Sequence, residues 1–234
     1  MHYRTLSSTV KFSLPALYQA SVFASIPLLF TINPLLVCVA MSLGILYHYI
    51  GISVTGHMII SHQHGKDLQP ALYTLLHLFF FYCTLITPQL WAGYHIQHHK
   101  HHDTKLDPQA RKILGWRVLI ATWNPDLVDI RTYLKTNKIP ICKFIAKHYY
   151  LLILLLVGVC LLLPLTVSLV FILIPFPLAL WLGTLSAYTT HYHGKPSKKL
   201  AMIERILYLG EITEHEYHHK NDCTKLSNTQ KIIL

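Results

Sequence analysis

The chain has 234 residues, 53% of them hydrophobic and only 13% charged, with a mean hydropathy of +0.40, a balance that excludes a disordered chain and argues against an ordinary soluble domain. Its 20 Lys and Arg against 10 Asp and Glu give a formal +10, and its 17 histidines outnumber all its acids. Cys38, Cys83, Cys142, Cys160 and Cys223 lie far apart with no CxxC spacing, which reads as reduced packing residues.

A helix crossing about 30 Å of hydrocarbon needs roughly 20 mostly apolar residues. In chain order, the first uncharged run of this kind, residues 14–32, leads through Asn33-Pro34 into the second, 34–54. The dipeptide breaks a helix and leaves almost no loop, so the pair predicts a membrane hairpin. The first run lacks the order of a cleaved signal and is read as a retained helix. A third run, Ala71 to Gly93, carries His77 as its clear polar interruption. Residues 149–163 and 165–187 repeat the hairpin around Pro164, with Pro175 and Pro177 as expected kinks.

Charge then sets sidedness. If both hairpins enter and leave on one face, all 20 basic residues fall there, and the positive-inside rule makes that face cytoplasmic. A crossing by Ala71 to Gly93 would divide the basic residues, so this run is expected to be a re-entrant or interfacial helix with His77 packed. The expected fold is an all-α, multi-pass integral membrane protein, one domain over residues 1–234. It has four transmembrane helices in two hairpins plus the re-entrant helix, and a cytoplasmic helical cap from residues 55–70, 94–147 and 188–234.

The histidines cluster in that cap as HMIISH (His57 to His62), HIQHH (His95 to His99) and HEYHH (His215 to His219). At 100° per residue, positions i, i+3 and i+4 share a helix face, so His95, His98 and His99 are expected to converge, as are His215, His218 and His219. His57 and His62 stand about 140° apart on an α-helix, which favours assigning them to two different ions. His191, at the end of the fourth span, brings the set to nine imidazoles, too many for one centre and suited to a dinuclear metal site. Imidazole suits zinc, copper, iron or nickel, so ligand type does not choose the metal. His64, His102, Asp103, His193 and Glu214 are candidates to support the ligands from behind. His2, His48, His77 and His148 are read as solvated, interfacial or packed.

The set GISVTGHMIISH, WAGYHIQHHKHHDTKLDP, SAYTTHYHGKP and GEITEHEYHH resembles, in order, the histidine motifs of membrane fatty acid desaturases of the stearoyl-CoA and acyl-lipid Δ9 type, and the likeness runs from about Ser13 to Lys220. The resemblance implies a di-iron centre held by His57, His62, His95, His98, His99, His191, His215, His218 and His219. Two iron ions with O2 as co-substrate and two electrons would introduce a cis double bond, Δ9 by resemblance, into a saturated acyl chain. An alkyl chain offers no acidic proton, so a metal and oxygen chemistry is what the reaction requires. The chain departs from the family at Ala187, where an asparagine is usual four residues before the lone histidine, and in the spacing of GEITE before the third box.

No GxGxxG, CxxCH or cysteine cluster supplies electrons internally, so an external donor such as ferredoxin or cytochrome b5 with its reductase is expected, beside a fatty acyl substrate carried on CoA, acyl carrier protein or lipid, and membrane lipid. The basic residues are accounted for by sidedness, and nucleic acid is not an expected partner. Competing readings are a related di-iron hydroxylase or ketolase, a histidine-rich metal transporter, and an inactive desaturase-like protein. A transporter would place its ligands near the bilayer midplane, whereas these lie in the cap. The expected location is a membrane with the active site on its cytoplasmic face, the inner membrane of a bacterium or the endoplasmic reticulum of a eukaryote.

Overall fold

A computed structural model describes residues 6–63, 65, 67–102, 104–109 and 127–190, and every element among them is helical. Helix α1 (Leu6–Ile32) meets α2 (Pro34–Tyr47) with only Asn33 between. Asn33 adopts an extended backbone, and its side chain accepts a hydrogen bond from Leu35 N at 2.9 Å, capping α2 while Pro34 opens it.

Helix α2 continues without interruption into a π-helical segment, His48–Ser61, whose hydrogen bonds span five residues instead of four. The expected end at Val54 is therefore corrected. No proline follows until Pro70, and the helix stops only where Gln63 and Gly65 take positive φ values of 57° and 104°.

The run from Ala71 to Gly93 is also corrected: it is two helices, α3 (Pro70–Thr84) and α4 (Pro88–His101), at 76° to each other. Pro88 disfavours helical geometry at Thr87, and Leu85 turns the chain in the left-handed region at φ 52°. The turn has partners for its polar groups. Thr84 Oγ1 accepts from Ile86 N at 3.0 Å, and Tyr149 Oη donates to the Leu85 carbonyl at 2.9 Å.

Beyond it lie α5 (Ile130–Thr136), α6 (Pro140–Lys147) and α7 (Tyr149–Leu162), the last two at 75°. Helix α7 has 14 residues, about 21 Å at 1.5 Å per residue, so the expected span over 149–163 is long enough only when joined to α6. The final span is broken as Pro175 suggests: α8 (Leu165–Ser168), a π turn at Leu169–Leu173, then α9 (Pro175–Thr190). Leu14–Ile32, Pro34–Ser61 and Leu165–Ser186 are long and apolar enough to cross a membrane, and the number reaches five if each bent pair forms one span.

Ile52, Ile60, Phe80, Trp91, Tyr94 and Leu180 form a buried core joining the π segment, α3, α4 and α9. Gly56 makes this approach possible, because a Cβ there would meet Phe80 Cε2 at 2.7 Å. The histidine-bearing turns of the π segment and α4 grow from this core, which fixes their relative position.

Candidate metal centre

The π register decides where the first box points. His62 N donates to the His57 carbonyl at 3.2 Å, a bond across five residues that sets the two side chains one turn apart on one face. The α-helical figure of 140° does not apply, and the assignment of His57 and His62 to separate ions is corrected: both belong to one cluster.

Helix α4 supplies the other half. His95 and His99 lie four residues apart, so they share a face, and the ring nitrogens of His57, His62, His95 and His99 all come within 4.8 Å of one another. His99 Nε2 is 2.8 Å and His62 Nε2 3.2 Å from His95 Nε2. The rings of His57 and His95 meet nearly edge to face, with centroids 4.6 Å apart. His95 is buried and the other three are half-buried.

This donor set fits a metal ion. Imidazole nitrogens around a tetrahedral ion at about 2.0–2.1 Å stand about 3.4 Å apart, close to the two shorter contacts here. Neutral imidazoles bring one lone pair each, and a shared cation satisfies several converging lone pairs better than N–H to N bonds in which each hydrogen serves one acceptor.

His98 does not join those four, contrary to the expectation that the whole second box converges. Its Nδ1 lies 2.9 Å from Asp107 Oδ1, with both residues buried, and Asp107 also accepts from Gln109 N at 2.8 Å. In the neutral imidazole, donation from Nδ1 leaves the lone pair on Nε2, the arrangement by which a carboxylate orients a ligating histidine. Asp107 is a candidate site residue that helix periodicity missed. Its signal is an acid nine residues after His98 in the HHDTKLDP stretch. His102 packs against His98, its ring centroid 5.3 Å away and the two planes tilted at 60°. His64, Asp103, His191, His193, Glu214, His215, His218 and His219 lie outside the described residues.

The family model described as fatty acid desaturase matches residues 32–231. The chain belongs to the fatty acid desaturase family. Searches of curated proteins and of solved structures give no match. Membership makes the chain an oxidoreductase of desaturase or hydroxylase type in fatty acid metabolism, with a fatty acyl substrate and redox partners. The family uses metal, and its long apolar helices fit a membrane protein.

In this desaturase-family chain, α4 is clasped from behind. Lys100 pairs with Asp129, whose carboxylate also accepts from Thr132 N at 2.8 Å to cap α5, while Asp129 N donates to the Gly93 carbonyl at 3.0 Å. Burial pushes the Asp129 carboxyl up, but hydrogen bonds from Lys100 and Thr132 outweigh it and hold the group below the ordinary carboxylate range. Gly93 lets α5 approach, since a Cβ there would sit 2.5 Å from Val128 Cγ1. His48 and His77 are not part of this centre. Each donates Nδ1 to a carbonyl, of Ala179 at 3.1 Å and of Tyr73 at 2.8 Å, inside the helix packing.

Proposed function

We propose that this chain is an O2-dependent acyl desaturase that holds two irons and introduces a cis double bond, Δ9 by family resemblance, into a saturated fatty acyl chain. The observation that carries the reading is the convergence of His57, His62, His95 and His99 from two separate helices in a chain of this family. These four residues would hold one iron. His98, oriented by Asp107, would serve a second with His191, His215, His218 and His219.

When bound, the metal pair supplies the oxidising power that an unactivated C–H bond requires. Removing two hydrogens from the alkyl chain while one O2 becomes two waters consumes two electrons and two protons from outside, so an external carrier such as ferredoxin or cytochrome b5 belongs to the reaction. The protein's own part is to orient. The π segment with its C-cap and α4 hold the imidazoles, Asp107 fixes the His98 tautomer, and the apolar core beneath them buries His95. The topology proposed is two membrane hairpins, with the α3–α4 pair re-entrant and the site on the cytoplasmic face; residues 1–234 act as one domain.

Expression in a desaturase-deficient host, with double bonds mapped in the recovered fatty acids, tests the activity. Wild type should restore unsaturation and His95→Ala should abolish it. Hydroxylated products in place of alkenes would identify the hydroxylase branch of the family. Purified protein should carry close to two irons per chain; zinc alone would overturn the proposal.

A further inference from the structure

A π helix ordinarily occurs as a single-turn bulge, yet here it runs 14 residues, carrying His57 and ending at its C-cap, His62. Something must hold it open. Hydroxyl side chains in α1, α3 and α9 bond carbonyls three or four residues back; Ser21, Thr31 and Thr184 reach three back. In α1, Ser25 Oγ donates to the Ser21 carbonyl at 2.6 Å, and in α3 Thr84 Oγ1 donates to the Phe80 carbonyl at 2.9 Å, both four residues back. In the π segment the reach is one residue longer. Thr55 Oγ1 donates to the Ile50 carbonyl at 2.7 Å and Ser61 Oγ to the Gly56 carbonyl at 2.8 Å, both five residues back. Thr55 and Ser61 are buried, where a hydroxyl keeps the partner it has because no water competes.

The two bonds bracket His57: the Thr55 bond closes the turn before it, and the Ser61 bond closes the turn between it and His62. We propose that Thr55 and Ser61 are positioning residues for the metal site, their hydroxyls holding the wide helical register that lets His57 and His62 take one ion. Relaxation of the segment to α geometry would carry His62 about 140° around the axis from His57 and break the cluster. The inference rests on the reading of the four histidines as a metal site.

The test is a cobalt(II) titration of the purified, metal-stripped full chain in detergent, followed by ligand-field absorption, with X-ray absorption counting imidazoles per cobalt. The double variant Thr55→Val, Ser61→Ala should bind about ten- to hundred-fold more weakly, the range for groups that orient ligands, and with fewer imidazoles. The hydroxyl-keeping variants Thr55→Ser and Ser61→Thr should bind as wild type does, a rescue that loss of packing alone would not produce. Wild-type affinity and imidazole count in the double variant would overturn the inference. If that variant does not fold, Ser61→Ala alone is measured in the same way: several-fold weaker binding supports the proposal and unchanged binding overturns it. Failure of wild type to take up cobalt would instead overturn the metal-site reading, which separates the two failures.

Discussion

Helices α3 and α4 meet at 76° and α6 and α7 at 75°, and one buried cluster packs both bends, yet the two are built differently. At the first, the chain is wrapped by protein: Leu85 is 5% exposed and packs with Phe81, Ile145, Tyr149 and Leu152. The Thr84 hydroxyl and the Tyr149 phenol bond the turn's backbone groups. At the second, only His148 separates the helices, its N donating to the Phe144 carbonyl and its carbonyl accepting from Leu152 N, both at 2.9 Å, and α7 becomes exposed only at its far end, where Leu161 and Leu162 are 81% and 88% exposed. The first bend lies in a long uncharged stretch, and the second directly follows Lys147. What separates them is that the first break frees backbone groups which side chains inside the protein satisfy, whereas at the second helical bonds run on through His148. The bends are also coupled, because Tyr149, the first residue of α7, braces the turn that aims α4 and its histidines.

Substitutions at the two bends should therefore differ sharply. Leu85→Ala empties a buried position at the inner turn and should cost about 2–5 kcal/mol, seen as a fall in the thermal midpoint in detergent together with lost metal. A midpoint at the wild-type value would mean that the inner turn is not held by its packing. Tyr149→Phe keeps the ring and removes one donor from a buried carbonyl, for about 1–2 kcal/mol and a smaller fall; no fall would place the bracing in the ring alone. At the outer helix, Leu161→Ala should stay within about 0.5 kcal/mol. A larger loss there would mean that the far end of α7 is covered by protein in the folded assembly, and its contrast with the buried turn at Leu85 would collapse.

The turns built on fixed local chemistry were legible in the sequence. Asn33-Pro34 and Pro164 break the helices here and Pro175 opens α9, although Pro15 and Pro27 sit inside α1 without ending it. Pro88 carried the same information about Thr87, but the uncharged length of Ala71 to Gly93 obscured it. The site was legible by residue type and, in α4, by spacing: His95 and His99 meet as four-residue neighbours should. Two aspects required coordinates. Helical arithmetic assumes an α register, so it misplaced His62 relative to His57, and the register depends on hydroxyl bonds that resemble ordinary serine and threonine content in a sequence. The pairing of His98 with Asp107 depends on a loop folding back across nine residues, and no periodicity describes that.

The uninterrupted helix from Pro34 to Ser61 has a consequence for where reactants meet. Its 28 residues rise about 40 Å at α pitch, a little less with the π turns, against about 30 Å of hydrocarbon. With the Asn33 turn at one edge of the hydrocarbon, His57 and His62 emerge at the depth of the lipid headgroups. An electron carrier arriving from water and an alkyl chain rising from the bilayer can then reach the same cluster from opposite sides, and neither has to cross into the other's solvent.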